Sequence, residues 1–559
     1  MKRIINEFTS NTSGHGWGMI NQTSSKFGKA LWVAITLLST IAAIIWVSTI
    51  IVRYVKYETI DRVEAKVDED IIFPSVTVCP LYGISSMKIA EVYSDPNSDY
   101  ISLNNFLSSS YALVDELAQI TNETYLSIMT NTILVARSNR GYYANLGVSG
   151  VSTIGHEFGD FIPYCLYQEK ECSAADFQKL VHHEYKNCYT FNGGDINISK
   201  PIISSTGAQK GLSLTLYLEN SENAYVAYNV NRVMTAASGA RVIIHEKGTL
   251  PDPDNEGFDV EPGHLISVAL SANKRQLLKQ PWGECAEHNT LHSTDYKYTR
   301  NTCRIKCIEK VIQRQCGCRY DLLPVDINAT TELDIQPCGK FNIKEWLKAT
   351  EANTTVLKED LAKVICSKEE HQWTALAKDI PSCECEYNCT YVDYEIETSQ
   401  SVWPMRGSEL DFFCQLSYLN ISGSFFERFQ NSIGIHCNSF MEYINVAQNH
   451  GDELRANVLR VNVYFKTLEV KYTIQDEGFS LVSMISEIGG VLGIFVGVSI
   501  ITILEIFVLC SGIVHVIINS KKVSSEINVK EIKSTSKSKL EESSNHKPDD
   551  SYYDQFKKY

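Results

Sequence analysis

The segment SEIGGVLGIFVGVSIITILEIF, residues 486–507, decides the fold, because it is apolar enough to enter a bilayer yet carries two carboxylates and four glycines. Seventeen uncharged residues separate Glu487 from Glu505. A charged side chain at mid-membrane costs about 2.5–3.5 kcal/mol, so such residues face a bundle interior or water. The alternative is that Glu505 lies near the inner headgroups and reaches the interface. Rings of acidic side chains select cations, and glycine lets helices pack closely or unwind. The segment therefore predicts a cation path formed by several copies of the chain.

Two segments are long enough to span a membrane. Residues 30–52 are 23 uncharged residues in a row, and about 20 suffice for the hydrocarbon core. A cleaved signal peptide is the alternative, but its apolar core would be only about 7–15 residues long. The second segment, residues 479–519, contains no Lys or Arg. The mean hydropathy of the whole chain, −0.14, argues against a transporter with many spans.

Cysteines and glycosylation sequons indicate that the segment between the spans is extracellular. Of the 17 cysteines, all but Cys510 lie between Cys79 and Cys437, which is typical of disulfides formed in an oxidising compartment. The same segment contains sequons at Asn122, Asn197, Asn328, Asn353, Asn388 and Asn420. Lysines follow the second span, as the positive-inside rule expects of a cytosolic end.

We therefore expect a multi-pass plasma-membrane protein with both termini in the cytosol. Its predicted parts are a cytosolic N-terminus (1–29), a first span (30–52), an extracellular cysteine-rich domain (53–478), a second span (479–519) and a disordered cytosolic tail (520–559).

The charge of the chain argues against a nucleic-acid partner. Lys and Arg number 51 against 66 Asp and Glu, a net charge of −15, whereas nucleic-acid binding needs a basic face. Counted over residues 53–478, the formal charge is −18. An acidic surface above a membrane concentrates cations, although ordinary solubility explains the same charge equally well.

Periodicity predicts an α+β extracellular domain. Leucines at every second position from Leu212 to Leu218 predict a strand with one buried face. Residues 459–474 also alternate, but the apolar phase reverses near Lys466, which predicts a bulge or a bend. Helical patterns fall at residues 103–118, 174–183 and 302–315.

Neither a metal centre nor an active site is predicted. The cysteine pairs are spaced C-x3-C or C-x-C, unlike the C-x2-C pairs of zinc knuckles. His156-Glu157 and His182-His183-Glu184 do not extend to the H-E-x-x-H pattern of metalloproteases, so packed or surface histidines are expected. The sequence shows no phosphate-binding loop and no activated nucleophile. We therefore expect a protein that is not an enzyme and that has neither a metal nor a cofactor.

Several motifs together resemble those of the degenerin/epithelial sodium channel/acid-sensing ion channel superfamily. The resemblance covers about residues 13–515, and the joint spacing of its motifs is specific. The matching stretches are the cytosolic His15-Gly16, FPSVTVC after the first span (73–79), the thumb motifs PWGEC (281–285) and CRIKC (303–307), and Gly497-Val498-Ser499 in the second span.

This resemblance implies a trimer with two transmembrane helices per subunit and an ectodomain of palm, knuckle, finger, thumb and β-ball. It implies an amiloride-sensitive sodium pore. Gly497, Val498 and Ser499 would form the constriction, Glu505 an inner acidic ring, and the His15-Gly16 loop would fold back beneath them. Ser486 falls where bulky residues lock degenerins open, and Glu487 where relatives often carry Asp, so both are assigned to the gate. The implied disulfides are Cys79–Cys188, Cys165–Cys172, Cys285–Cys389, Cys303–Cys385, Cys307–Cys383, Cys316–Cys366 and Cys318–Cys338, which leaves Cys414 and Cys437 as an eighth pair.

The stimulus that opens the channel is less sharply indicated. Acid-sensing members carry a His pair shortly after the first span, whereas this chain reads Tyr57-Glu58-Thr59, and the Pro-Pro-x-Tyr tail motif of epithelial members is absent. The extra cysteine pair resembles invertebrate channels gated by FMRFamide-type neuropeptides. We expect a sodium channel opened by such a peptide, with membrane lipid and two further subunits as its other partners and sodium as the permeant ion. A channel of the same superfamily gated by protons or another stimulus is the alternative. A two-span receptor or adhesion protein without a pore is the competitor from another class.

Overall fold

The fold is taken from a computed structural model of the chain. It describes residues 12, 16–68, 71–95, 98–99, 101–103, 105, 127, 139–193, 202–203, 205–220, 237–288, 290–291, 296–326, 335–341, 355–368, 383–405, 408 and 451–537. The chain divides into two compact units, one of residues 1–59 with 477–559 and one of residues 60–476.

The first unit is helical and contains the membrane-spanning segments. Its helices are α1 (Trp17–Gln22), α2 (Lys26–Val55), α9 (Leu481–Val496) and α10 (Ile500–Lys537). The helices of the second unit are α3 (Ser86–Tyr93), α4 (Asn139–Ile154), α5 (Phe158–Phe161), α6 (Arg300–Cys316), α7 (Thr355–Lys368) and α8 (Gly451–Asn457).

The strands pair into two large sheets and two short ribbons. Their bounds are β1 (Thr59–Val67), β2 (Ile71–Ile72), β3 (Ser75–Pro80), β4 (Tyr164–Tyr167), β5 (Lys170–Glu171), β6 (Phe177–His182), β7 (Lys186–Phe191), β8 (Ile202–Ile203), β9 (Leu212–Tyr217), β10 (Ala240–His245), β11 (Phe258–Val260), β12 (His264–Gln276), β13 (Cys285–Ala286), β14 (Val325–Asp326), β15 (Tyr387–Asn388), β16 (Thr390–Val402), β17 (Val458–Phe465) and β18 (Glu469–Glu477).

The larger sheet is built on the long strand β12. Strand β16 pairs with it antiparallel along all 13 residues, while β17 and β18 run parallel to its first and last parts. Beyond β17, the next strands in the sheet are β9, β4 and β5; beyond β18, the next strand is β1. The reversal of phase near Lys466 is therefore a bend between two strands, which confirms one of the two predicted alternatives, and not a bulge within one strand.

The second sheet has the order β11-β10-β3-β7-β6-β14, and one apolar core joins it to the first. Phe73 is fully buried in this core, with its ring 6.1 Å from that of Phe465. The leucines of β9 are buried as predicted, but its alternate residues are buried too, so the prediction of one exposed face was wrong. Arg460 of β17 covers that polar face and donates from Nε to Ser213 Oγ at 3.0 Å.

The three helical predictions had different outcomes. The helix predicted at 302–315 is confirmed as α6, which Thr299 caps by accepting a hydrogen bond from the Thr302 N–H, and which ends at left-handed Gly317. The helix predicted at 174–183 was wrong: one 3-10 turn, Ala174–Asp176, leads into β6, because pairing with β7 overrides the local pattern. Most of 103–118 lies outside the described residues.

Within the described part of the chain, seven disulfides cross-link the second unit, and they are the seven pairs that the resemblance implies. Four of them hold α6 and the chain around it: Cys303–Cys385, Cys307–Cys383, Cys316–Cys366 and Cys318–Cys338. The others are Cys79–Cys188, Cys165–Cys172 and Cys285–Cys389. Cys414 and Cys437 lie outside the described residues, so the eighth pair stays a prediction.

The tail differs from its prediction. Helix α10 continues without interruption to Lys537, where the composition predicted disorder from residue 520. Lys and Glu are good helix formers, and extending an existing helix requires no new nucleus. Residues 538–559 lie outside the described part of the chain.

Candidate functional site

The second span is two helices and not one. Helix α2 and residues 500–518 of α10 are apolar enough to cross a membrane, with mean hydropathies of 2.3 and 2.4. Helix α9 has 16 residues, which at 1.5 Å per residue give about 24 Å, less than the roughly 30 Å of a hydrocarbon core. The helical path is interrupted at residues 497–499, as the glycine content of this segment allows.

Gly497 ends α9. Its φ of 69° and ψ of 22° are left-handed, and its N–H donates to the Gly493 carbonyl at 3.1 Å. The Val498 N–H reaches back to the Leu492 carbonyl, also at 3.1 Å. A left-handed glycine is a common way to end a helix, and other residues adopt this conformation only at a cost in free energy.

Ser499 begins α10 by reciprocal hydrogen bonding with Thr502. The Thr502 N–H donates to Ser499 Oγ at 3.3 Å, and the Ser499 N–H donates to Thr502 Oγ1 at 3.1 Å. Thr502 is buried, and its hydroxyl also donates to the Gly497 carbonyl at 3.4 Å. The G-x-S stretch thus ends one helix and starts the next. The carbonyl end of α9, which carries partial negative charge, lies at the break and favours a cation. Sequence reasoning missed Thr502, although the Ser-x-x-Thr spacing of a capping pair was visible.

The two residues that the resemblance assigns to a gate, Ser486 and Glu487, lie on α9. Ser486 is exposed within the described chain. Glu487 Oε1 lies 3.9 Å from Arg53 Nη1 of α2, and the Arg53 guanidinium stacks 4.5 Å from the centroid of the Phe479 ring. Sequence reasoning did not single out Arg53, because nothing local links it to a position more than 400 residues away.

Glu505, in the second turn of α10, contacts the N-terminal segment. Thr12 Oγ1 donates to Glu505 Oε2 at 2.9 Å. Gly16, the N-cap of α1, has a φ of 87°, and a Cβ there would lie 2.4 Å from Thr36 Oγ1 of α2. Thr12 therefore contacts the second membrane-spanning region, and Gly16 contacts the first. His15 itself lies outside the described residues.

In the second unit, His182, His183 and Asp254 form the group of potential metal ligands that the described residues bring together. Both His Nε2 atoms lie 3.6 Å from Asp254 Oδ2. However, His182 Nε2 carries its proton, because it is bonded to the Leu322 carbonyl at 3.2 Å. His183 Nε2 accepts from Arg140 Nη2 at 2.7 Å. Burial lowers the pKa of His182 to about 3 and places that of His183 well below its usual value. This geometry favours neutral, structural histidines over a metal centre.

A cavity of about 600 Å³ lies between the start of α6 and strand β16. Two acidic side chains of its lining are paired within the fold: Glu246 accepts from Lys297 at 2.9 Å, and Asp393 lies 3.1 Å from Arg275. Arg300 stacks 4.0 Å from the centroid of the Tyr387 ring. The Arg300–Tyr387 contact joins α6 to β15, and the Asp393–Arg275 pair joins β16 to β12.

Of the six sequons, only Asn388 is described. Its Nδ2 donates to the His288 carbonyl at 3.2 Å, and Cys389 beside it is disulfide-bonded. The other five, Asn122, Asn197, Asn328, Asn353 and Asn420, lie outside the described residues, so glycosylation stays a prediction.

Comparison with known proteins agrees with this architecture. The family model "Amiloride-sensitive sodium channel" matches residues 8–509. The chain is 26% identical to the FMRFamide-activated amiloride-sensitive sodium channel of Cornu aspersum, over 93% of this chain and 84% of that protein. It is 26% identical to the bile acid-sensitive ion channel of Mus musculus, over 90% and 87%. It is 25% identical to acid-sensing ion channel 2 of Homo sapiens, over 81% and 75%. A family match over most of the chain, with the two membrane-spanning regions and the disulfide-rich α+β domain expected of that family, establishes that the chain belongs to the amiloride-sensitive sodium channel family.

Proposed function

We propose that the chain is a subunit of a homotrimeric, sodium-selective channel of the plasma membrane, opened by an extracellular FMRFamide-type neuropeptide. Membership in a family of ion channels excludes an enzyme and the receptor or adhesion protein without a pore. The observation that carries the proposal is the helix break at Gly497–Ser499 with Glu505 on the following helix.

The pore is formed by three copies of the α9–α10 segment. Carbonyl groups at the break and the C-terminal dipole of α9 replace part of the hydration of sodium. Glu505 contributes an acidic ring on the cytosolic side, and an amiloride-like cation blocks the path from outside. Both termini are cytosolic on this topology, with residues 53–478 outside.

Gating is transmitted through two paired strands. Strand β1 follows α2, strand β18 precedes α9, and the two strands are neighbours in one sheet. Near the helices, the Gly478 N–H donates to the Glu58 carbonyl at 2.8 Å. A ligand that binds the open arrangement more tightly shifts this sheet, and with it α9 at Ser486 and Glu487.

A peptide with a cationic Arg and an amidated aromatic end suits the acidic extracellular segment, whose formal charge is −18 over residues 53–478. The similarity to a channel named as FMRFamide-activated supports the same stimulus. The runner-up, a proton-gated channel, is supported by the similarity to acid-sensing ion channel 2.

Whole-cell recording during application of FMRFamide, of acid and of a bile acid separates these possibilities. The expected result is an amiloride-blocked inward sodium current with the peptide alone. Current with acid or bile acid alone, at proven surface expression, would transfer the assignment to that stimulus. Loss of sodium selectivity in Glu505→Gln would support the pore assignment, and unchanged selectivity would contradict it.

A further inference from the structure

The cavity of about 600 Å³ between the start of α6 and strand β16 has the volume of a small-molecule site. We propose that it binds a compact aromatic cation, meaning an ammonium or guanidinium group close to an aromatic ring. The Glu256 carboxylate pairs with the cation, and the rings of Tyr387 and Tyr391 contact the ligand's aromatic group. This inference goes beyond the proposed function and does not depend on which stimulus opens the channel.

The wall of the cavity at Glu256 carries negative charge that the fold does not neutralise. Glu256 Oε1 and Oδ2 of the buried Asp252 share one donor, Asn301 Nδ2, at 3.2 and 2.8 Å. Within the part of the chain that the structure describes, neither carboxylate forms an ion pair. Burial and the Asp252 carboxylate raise the pKa of Glu256. A carboxylate removed from water is costly without a cationic partner, so a cation in the cavity is stabilised at this wall.

The other two acidic side chains of the lining differ from Glu256, because each has a basic partner. Lys297 pairs with Glu246 at 2.9 Å, and Arg275 with Asp393 at 3.1 Å. Among the acidic residues that line the cavity, Glu256 is therefore the one that can pair with a ligand.

Strand β15 and the start of β16 contribute aromatic rings to the lining. The rings of Tyr387 and Tyr391 are nearly parallel, with an angle of 17° between their planes and centroids 6.3 Å apart. The guanidinium of Arg300 lies 4.0 Å from the centroid of the Tyr387 ring, so these rings accommodate a planar cation. Aromatic rings offer both apolar area and a negative face that attracts cations. A ligand that combines a ring with a cation uses both properties.

Two arginines of α6 also line the cavity, and they make the charge preference testable. Arg300 is held by its Nε, which donates to the Cys385 carbonyl at 3.2 Å. Arg304 is exposed and forms no ion pair within the described residues, so its charge repels a cationic ligand. Loss of the Glu256 charge should therefore weaken binding, and loss of the Arg304 charge should strengthen it. A site for anions would show the reverse.

This ligand chemistry can come from two sources. One is the arginine and the amidated aromatic residue at the end of an FMRFamide-type peptide, and the other is a free aromatic amine. The two probes are therefore arginyl-phenylalanine amide and phenethylamine.

The first test measures binding of each probe to the purified full-length protein by calorimetry. We expect at least one probe to bind. Glu256→Gln keeps an acceptor for Asn301 and should weaken binding by about tenfold, and Tyr391→Leu should weaken it by about two- to tenfold. Arg304→Gln should strengthen binding by about two- to fivefold. Glu261→Gln is the matched control, because Glu261 is an exposed acid outside the cavity, and it should keep the wild-type affinity.

Binding of neither probe, or binding that Glu256→Gln and Tyr391→Leu leave unchanged, would overturn the proposal. Tighter binding in Glu256→Gln together with weaker binding in Arg304→Gln would also overturn it, because that result describes a site for anions.

Recordings of FMRFamide-evoked current separate the two sources. If the peptide end occupies the cavity, Glu256→Gln should raise the half-maximal concentration of FMRFamide by the same factor as it weakens binding of the dipeptide amide. If a free amine occupies it, phenethylamine should shift the FMRFamide curve of the wild type, and Glu256→Gln should abolish that shift. FMRFamide current without binding of either probe rejects the cavity site and leaves the proposed function intact. Probe binding without any FMRFamide current retains the cavity site and rejects the proposed stimulus.

A second measurement leaves Glu256 and the tyrosines unchanged. In a Cys510→Ser background, Val392→Cys places a thiol in the lining of the cavity. A probe at about four times its dissociation constant should slow the reaction of this thiol with a methanethiosulfonate reagent by about fivefold, because protection follows occupancy. Val402→Cys, at the exposed far end of β16, is the control and should react at the same rate with and without the probe. An equal rate at Val392→Cys with and without either probe would contradict the proposal.

Discussion

Ser499 and Thr502 hydrogen-bond each other's backbone N–H groups at 3.3 and 3.1 Å, and this exchange begins helix α10 immediately after the break in the second membrane segment. The break between α9 and α10 is therefore specified by particular residues, with a left-handed glycine on one side and a capping pair of side chains on the other. Because the same hydroxyl of Thr502 reaches the Gly497 carbonyl, this side chain links the end of α9 to the start of α10.

Replacing either member of this pair should alter ion selectivity. Ser499→Ala and Thr502→Val each leave an N–H at the helix start unpaired, which costs about 0.5–2 kcal/mol. We expect a lower sodium-to-potassium permeability ratio in both. Ser480→Ala is the matched control, because Ser480 caps α9 in the same way by accepting from the Ser483 N–H at 3.2 Å. An equal change of selectivity in Ser480→Ala would show that capping at the break has no special role.

How far could the pore be predicted from the sequence? The two carboxylates, the glycines and the G-x-S stretch were all visible, because they are local features of one segment. Thr12, Arg53 and Thr36 were not, because their roles come from contacts across the membrane-spanning unit. A threonine hydrogen-bonded to a position 493 residues away leaves no mark in the sequence around it.

The same distinction holds in the extracellular domain. Helix α6 was predictable because its apolar positions recur at helical spacing and Thr299 and Gly317 mark its ends. Strand β6 was not, because residues 177–182 form it only by pairing with β7. The gap after Phe465 was visible as a reversed phase, but its cause, two strands sharing one partner, requires the sheet topology.

Gly497→Ala should impair the channel more than glycine substitutions within α9. Position 497 has a φ of 69°, where a side chain costs about 1 kcal/mol or more. At Gly489 and Gly490 an added Cβ meets nothing within 4 Å in the described chain. We expect reduced current and altered selectivity in Gly497→Ala, measured at equal surface expression. Gly489→Ala provides the comparison and should keep the wild-type selectivity. Normal selectivity in Gly497→Ala would contradict the assigned role of the left-handed turn.

Charge reversal should reveal the Arg53–Glu487 pair in gating. Arg53 Nη1 and Glu487 Oε1 lie 3.9 Å apart on half-exposed side chains. Their interaction is therefore worth about 0.2–1 kcal/mol, which corresponds to a change of up to about fivefold in the half-maximal agonist concentration. Arg53→Glu and Glu487→Arg should each shift the concentration-response curve, and the double variant should restore it in part. Lys56→Glu is a suitable control, because the acidic partner of Lys56 is Glu58, at 4.0 Å. If the shifts caused by Arg53→Glu and Glu487→Arg simply add in the double variant, the two residues are not coupled.

Acid should destabilise the extracellular domain through its buried histidines. Burial lowers the pKa of His182 to about 3 and that of His245 to about 4, from an ordinary value of 6.5. The unfolded chain then binds more protons than the folded one below pH 6.5, so stability is complete above that pH and falls as pH decreases towards the folded pKa. Over this range the free energy of unfolding falls by about 1.4 kcal/mol per pH unit for each such group.

Thermal unfolding of the purified full-length protein between pH 7.5 and 5 tests this directly. His182→Gln retains a donor for the Leu322 carbonyl but cannot titrate, so its unfolding temperature should depend less steeply on pH than that of the wild type. His264→Gln, at a partly exposed position beside Glu261, serves as the control and should keep the wild-type slope. If His182→Gln and the wild type lose the same number of degrees between pH 7.5 and 5, His182 does not carry the acid sensitivity. Since the stimulus proposed for opening is a peptide, this loss of stability should appear without any acid-evoked sodium current.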